Sequence, residues 1–189
     1  MEESRRGHTG PDQQWLTTSR AHVGALTGRY RQSLVDYTGS GHLRINQWLR
    51  RGQQPADLWV AAQVRDIDVV LSANPLARDT ELIRTIDMRE AFHIVRGEDL
   101  VKIAHKDRVE RGFLSTTRFA AGGRVKESAR PVRLTLFVPL GTPAAAIEDI
   151  SKFPDQGEVL LGRGLWYVLR DPAYARTIGV WTATLEILP

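Results

Sequence analysis

The sequence predicts an α+β fold, with helices in the first third of the chain and a mainly antiparallel sheet after them. Two observations support this fold class. Apolar residues recur three and four positions apart as far as Asn74-Pro75, which is the spacing of amphipathic helices. After Pro75, short apolar runs bounded by Gly, Pro or Asp dominate, and in the last run every second residue from Trp181 to Ile187 is apolar, as in a strand with one buried face. This order favours helices packed on one face of the sheets.

Turn and capping residues set the expected limits of the individual elements. Four helices are expected, at residues 15–26, 30–37 and 43–49 and in a longer segment that Pro55 opens and Asn74-Pro75 ends. A short helical stretch is expected at 99–109. The expected strands are 81–87, 112–117, 132–139, 144–148, 157–161, 165–169 and 177–188.

Length and composition indicate one globular domain. At 189 residues the chain can bury one substantial core, so we expect a flexible lead-in at 1–12 and a single domain at 13–189. No apolar run approaches the roughly 18 residues that a membrane span needs. The absence of cysteine excludes disulfides and thiolate metal sites, and the five histidines are scattered, so no metal site is expected.

The sharpest local feature is a Gln-x-Glu triplet, Gln156-Gly157-Glu158, which follows a Pro-Asp turn. If the triplet starts an apolar strand, the period of two places Gln156 and Glu158 on the same side, where an amide and a carboxylate share one cleft. By itself the triplet also fits a solvated strand start.

Three further segments contain polar groups suited to a ligand. Ser115 and Thr117 lie on one side of a short strand, where a hydroxyl could orient a carboxylate, although plain β-propensity also explains them. Arg84 stands inside an apolar strand and suits a phosphate or carboxylate, unless it is a surface arginine. Asn46 and Arg50 share one helix face, which could hold phosphate and ribose or remain without a ligand.

Together these segments resemble the arginine–serine–glutamate class of mono-ADP-ribosyltransferases, and most closely the clostridial Rho-inactivating exoenzymes. The resemblance runs from about residue 30 to the C-terminus. That family has a Tyr-Thr turn, an Ile-Asn-x-x-Leu-Arg helix, a strand Arg, a Ser-Thr-Ser strand and an aromatic residue three positions before Gln-x-Glu. The counterparts here, in the same order, are Tyr37-Thr38, Ile45-Asn46 with Leu49-Arg50, Arg84, Ser115-Thr116-Thr117, and Phe153 before Gln156 and Glu158.

The resemblance implies the ADP-ribosyltransferase fold, in which an N-terminal helical lobe packs on two roughly perpendicular, mainly antiparallel sheets with NAD in the cleft. It also implies an NAD-dependent mono-ADP-ribosyltransferase that uses NAD as co-substrate and no metal. Glu158 would hold the 2′-hydroxyl of the nicotinamide ribose and stabilise the positive charge that develops as nicotinamide leaves. Ser115 would hold Glu158 in place.

The other implied roles follow the family's motifs. The implied catalytic set is Arg84, Ser115, Gln156 and Glu158. The residues implied to bind NAD are Thr38, Asn46, Arg50, Arg84, Ser115, Phe119 and Arg124, the last two in a loop that resembles the family's mobile loop. Phe153 and Gln156 would recognise the acceptor.

Gln156 bears on the identity of the acceptor. An amide cannot act as a base but can hydrogen-bond another amide, so an asparagine of a Rho-type small GTPase is the leading acceptor. Glutamine and guanine in DNA are the alternatives, and a non-catalytic binding module is the remaining one. The chain departs from the family pattern at Thr85, at Thr117 and in a longer, basic 120–130 loop, which leaves the partner more open than the catalysis.

The net charge of +4 and the pI of about 9.8 suit an anionic partner without selecting one, and a solvated basic face explains them equally. Nucleic acid is the second candidate partner, because four basic residues lie close together in the sequence, namely Arg124, Lys126, Arg130 and Arg133. The polar N-terminus has no apolar stretch typical of a signal peptide. We therefore expect a secreted or delivered effector that needs no such signal, a cytoplasmic protein, or a fragment of a longer toxin.

Overall fold

The computed structural model describes residues 10–119 and 129–189, and its first third is helical. Its four helices are α1 (Gln13–Ala25), α2 (Gly28–Asp36), α3 (His42–Arg50) and α4 (Leu58–Ser72). A π-helical turn, Tyr37–Gly41, joins α2 to α3, and Gly39 has non-helical backbone angles inside it. All four helices were predicted from the apolar spacing.

Aspartate side chains set the start of two helices. The Asp12 carboxylate accepts hydrogen bonds from the backbone N–H groups of Gln14 and Trp15 and begins α1. Asp57 accepts from the N–H of Val60 at 3.1 Å, so α4 begins at Leu58, and the prediction that Pro55 opens this helix was wrong. Of the predicted lead-in, residues 1–9 lie outside the described residues, and the limits of the predicted domain remain a prediction.

The strands follow the helical lobe. They are β1 (Thr80–Asp87), β2 (Asp107–Glu110), β3 (Leu114–Thr117), β4 (Pro131–Val138), β5 (Ala144–Ala146), β6 (Glu158–Leu161), β7 (Leu165–Ala175) and β8 (Val180–Ile187). Two short helices, α5 (Met88–Phe92) and α6 (Leu100–Ile103), separate β1 from β2. Within the described residues, no helix is long and apolar enough to cross a membrane.

The eight strands form one hydrogen-bonded sheet in the order β2-β7-β8-β4-β1-β3-β6-β5. All neighbouring pairs are antiparallel except β4 and β8, which run parallel. The link between β1 and β3 consists of the single pair Ile83–Thr117. This narrow link divides the sheet into a five-stranded and a three-stranded part, which correspond to the two sheets that the resemblance implies.

Several predicted element limits were wrong. The helix predicted at 99–109 ends at Ile103, because Asp107–Glu110 pairs with β7 as the edge strand β2. The strand predicted at 177–188 begins at Val180, since residues 176–179 form the turn that closes a hairpin with an extended β7. Helix α5 was not predicted. For the two strands the deciding contact lies across the sheet or in a turn, which periodicity along the chain does not reveal.

Two hydrophobic clusters form the core. One joins α1, α5 and α6 to the buried face of β1, β4, β7 and β8, and the other joins α2, α3 and α4 to β5 and β6. Tyr37 and Phe113 are among the largest fully buried side chains, and their rings meet edge to face with centroids 5.6 Å apart. This contact packs the turn before α3 against the start of β3.

Candidate active site

A cavity of about 1470 Å³ opens where α3, β1, β3 and the start of β6 meet. Its volume exceeds the roughly 300–1,000 Å³ typical of pockets for drug-sized ligands, so it has room for a dinucleotide. Eight of the ten residues predicted to form the site line it, namely Thr38, Asn46, Arg50, Arg84, Ser115, Phe153, Gln156 and Glu158. The fold therefore gathers residues that are more than a hundred positions apart in the chain.

The Gln-x-Glu triplet reaches the cavity through a turn and not through strand alternation. Pro154–Gln156 forms a 3₁₀ turn, Gly157 adopts a left-handed φ of 56°, and β6 begins at Glu158. The prediction that both side chains follow one strand period was therefore wrong, although both line the same cavity. Thr117 holds the turn, because its hydroxyl donates a hydrogen bond to the carbonyl oxygen of Gln156.

The hydroxyl bonded to the Glu158 carboxylate belongs to Ser151. Ser151 Oγ lies 2.8 Å from Glu158 Oε2, whereas the resemblance implied this role for Ser115. Ser115 instead accepts a hydrogen bond at its carbonyl oxygen from Arg84 Nη1, at 2.9 Å. Ser151 stands in the same segment as the triplet, but its spacing alone does not indicate this contact.

Arg84 places a positive charge in the cavity wall. Burial lowers the pKa of its guanidinium, and the nearby carboxylates of Glu110 and Glu158 partly oppose this shift. Among residues 10–119 and 129–189, Arg84 forms no ion pair. A half-buried guanidinium with no carboxylate partner is suited to an anionic group of a ligand, such as a diphosphate.

Asn46 is committed to the protein itself, although it lines the cavity. Its Oδ1 accepts from the backbone N–H of Phe113 at 2.9 Å, and its Nδ2 donates to the Phe113 carbonyl at 3.2 Å and to the Tyr37 hydroxyl at 3.1 Å. Burial raises the pKa of Tyr37 to about 12, against the effect of the Asn46 hydrogen bond. The amide thus fixes the backbone two residues before Ser115.

Arg50 has a bidentate partner. Its Nε and Nη2 donate to the two carboxylate oxygens of Glu110 at 3.0 and 2.9 Å. Burial lowers the pKa of Arg50, but the hydrogen bonds and charge of Glu110 outweigh this effect, and the net shift is upward. Arg50 therefore contacts a ligand only while it is paired with Glu110 or after it releases Glu110. The sequence did not single out Glu110, which pairs with a residue of the cavity but does not itself line it.

Arg118 and Phe119, the first two residues after β3, lie next to the triplet. Phe119 does not line the cavity, and its ring packs on Gly157, where an added Cβ would come within 2.6 Å of it. The guanidinium carbon of Arg118 lies 4.3 Å from the Phe119 ring centroid, and Arg118 also contacts the buried Glu148 carboxylate at 3.4 Å. Arg124 lies outside the described residues.

Comparison with known families decides the class of this protein. The family described as ADP-ribosyltransferase exoenzyme matches residues 12–173, which is most of the chain. The chain belongs to this family. Membership confirms the predicted class, an NAD-dependent mono-ADP-ribosyltransferase with the fold of that family and NAD as co-substrate.

Solved structures of this fold superpose over nearly the whole exoenzyme domain. Plx2a, an ADP-ribosyltransferase toxin from Paenibacillus larvae, is 24% identical, with a TM-score of 0.76 over 93% of this chain and 94% of that chain. The Clostridium limosum C3 exoenzyme is 23% identical, with a TM-score of 0.75 over 96% and 97%. C3stau2 from S. aureus, solved with NAD, is 20% identical, with a TM-score of 0.75 over 95% and 97%. At these identities the likeness shows the fold alone.

No curated protein sequence matches this exoenzyme significantly. Within the part of the chain that the structure describes, no three acidic or histidine side chains gather closely enough to hold a metal ion.

Proposed function

We propose that this exoenzyme transfers ADP-ribose from NAD to an asparagine side chain of a Rho-type small GTPase, with Glu158 as the catalytic carboxylate. The observation that carries this proposal is the convergence of Glu158, Gln156 and the Arg84 guanidinium on one cavity large enough for a dinucleotide. Their chemistry matches the needs of the reaction. A carboxylate stabilises the positive charge that develops on the ribose, and a cation binds the diphosphate of NAD. An amide acceptor needs a hydrogen-bonding partner.

The bond that breaks is the one between C1′ of the ribose and the nicotinamide nitrogen. Nicotinamide leaves with the bonding electron pair, and the ribose acquires oxocarbenium character that Glu158 stabilises while it accepts a hydrogen bond from the 2′-hydroxyl. The acceptor nitrogen then bonds to C1′ and loses a proton to solvent. Arg84 would hold the diphosphate, with Thr38, Asn46, Arg50 and Ser115 lining the same cavity.

Gln156 and Phe153 support a protein acceptor. The Gln156 side chain lines the cavity beside Glu158 and has an amide that can both donate to and accept from an asparagine amide. Phe153, on the preceding turn, is 49% exposed and is bordered by the exposed residues Lys152 and Pro154. An exposed aromatic side chain at the cavity mouth suits contact with a folded protein.

The guanine alternative receives less support from the described residues. Arg130 and Arg133 are both partly buried and both have interaction partners within the protein, so neither is a free cation of a basic groove. Arg124 and Lys126 lie outside the described residues. Duplex DNA is therefore included as an acceptor in the experiment.

The test is the release of nicotinamide from NAD, first without an acceptor and then with Rho-type GTPases or duplex DNA. Glu158→Gln removes the charge and keeps the shape, and we expect it to lower the rate by at least about 10²-fold. Glu98→Gln is the matched control, because Glu98 is exposed and does not line the cavity. If Glu158→Gln retains the rate of the control, the catalytic assignment is wrong.

The acceptor is identified by mass spectrometry of the modified product. We expect modification of an asparagine on the GTPase, and replacement of that asparagine by alanine abolishes labelling while nicotinamide release without acceptor continues. Labelling of DNA alone would contradict the protein acceptor. Gln156→Glu changes one amide to a carboxylate and is expected to lower asparagine transfer, because the carboxylate cannot donate to the acceptor oxygen.

A further inference from the structure

The loop between β5 and β6 closes on the residue proposed as the catalytic carboxylate. The backbone N–H of Ile147 donates to the carbonyl of Glu158 at 3.0 Å, and the N–H of Ser151 donates to the carbonyl of Ile147 at 2.9 Å. Ser151 is therefore held by the main chain at a fixed place beside β6. Its short side chain reaches Glu158 Oε2 at 2.8 Å.

The direction of this hydrogen bond follows from a second contact. The backbone N–H of Phe153 donates to Ser151 Oγ at 3.2 Å, which uses the oxygen as an acceptor. A serine hydroxyl has one proton, and Glu158 is its partner for that proton. The result is a charge-assisted bond to an ionised carboxylate, a type of bond that is about twice as strong as one between neutral groups.

Strand register explains why Ser115 does not provide this hydroxyl. In the β3–β6 ladder, Ser115 lies opposite Leu160 and Thr117 lies opposite Glu158. The Thr117 hydroxyl donates to the Gln156 carbonyl instead. The loop residue Ser151 is the hydroxyl donor that remains beside the carboxylate.

We propose that Ser151 is a positioning residue for Glu158, which fixes the carboxylate plane so that Glu158 Oε1 remains available for the 2′-hydroxyl of the nicotinamide ribose. This inference rests on the proposed function. Because the Phe153 N–H also bonds to Ser151 Oγ, this hydroxyl connects the backbone at the exposed Phe153 to the proposed catalytic carboxylate.

The test compares Ser151→Ala, which removes the donor, with Ser151→Thr, which keeps it. Ser72→Ala is the matched control, since Ser72 is exposed at the end of α4, does not line the cavity and lies outside the loop between β5 and β6. We expect Ser151→Ala to lower kcat for nicotinamide release about 10- to 100-fold, the range of a hydrogen bond to a charged group, with KM for NAD within about twofold. Ser151→Thr restores most of kcat.

A double variant separates positioning from a general loss of structure. If Ser151 acts through Glu158, adding Ser151→Ala to Glu158→Gln lowers the residual kcat no further, whereas a loop that merely loses its fold lowers it again. Wild-type kcat in a folded Ser151→Ala protein, or a further fall in the double variant, overturns the inference. If Glu158→Gln loses nicotinamide release while Ser151→Ala keeps the rate of the unmodified protein, this inference alone is refuted. If Glu158→Gln keeps that rate, the proposed function is refuted.

Discussion

Replacement of Asn46 by alanine tests whether this side chain serves the fold or the ligand. Asn46 is 7% exposed and makes three hydrogen bonds, two with the backbone of Phe113 and one with the Tyr37 hydroxyl. Alanine removes all three together. The Phe113 N–H then lies buried without an acceptor, because Phe113 is 0% exposed.

The expected cost follows from these contacts. A buried donor left without a partner costs about 1–3 kcal/mol, and each further lost hydrogen bond costs about 0.5–1.5 kcal/mol. The Phe113 carbonyl keeps the Tyr37 hydroxyl as a donor at 3.3 Å, so part of the loss is replaced. We expect Asn46→Ala to lower the free energy of unfolding by about 3 kcal/mol, which lowers Tm by about 6–12 °C in a domain of this size.

Urea unfolding followed by tryptophan fluorescence measures this change. Gln47→Ala, at the next and exposed position of α3, is the control and is expected to change the free energy of unfolding by less than about 0.5 kcal/mol. The affinity for NAD is measured by calorimetry well below Tm. If Asn46→Ala is as stable as the control while NAD binding is lost, Asn46 acts on the ligand and the structural role is refuted.

Three further predictions concern the same region. Burial raises the pKa of Tyr37 to about 12, so the contribution of this shift to the free energy of unfolding is complete below about pH 10 and is lost as the pH rises through about 12. Over this pH range the free energy of unfolding should fall by about 2–3 kcal/mol more in the unmodified protein than in Tyr37→Phe. Gly157→Ala should lower Tm and nicotinamide release together, because its φ is 56° and the new Cβ meets the Phe119 ring; unchanged values would mean that this packing is absent in solution. Arg50→Ala should raise the Kd for NAD about tenfold, because a charge-assisted contact with the ligand is lost. An unchanged Kd would mean that Arg50 serves only to pair with Glu110.

Local periodicity predicted much of the fold. The alternation of apolar residues predicted β8, and the helical spacing predicted the four N-terminal helices with errors at their starts. The segment 99–109 was predicted as a helix, but its last three residues belong to the strand β2, because they pair with β7 about sixty residues later in the chain. Edge strands of four residues carry too little alternation to be distinguished from a helical pattern without their partner.

Sequence by itself determined the set of side chains that meet in the cavity, because Arg84, Gln156 and Glu158 occur in segments whose order and residue types resemble one family. Only the tertiary structure decided their partners. Glu158 bonds to Ser151 and not to Ser115, since strand register and loop closure set which hydroxyl lies beside it. Whether two groups form a hydrogen bond depends on their distance to within a few tenths of an ångström. The spacing of residues along the chain does not specify the register between distant strands.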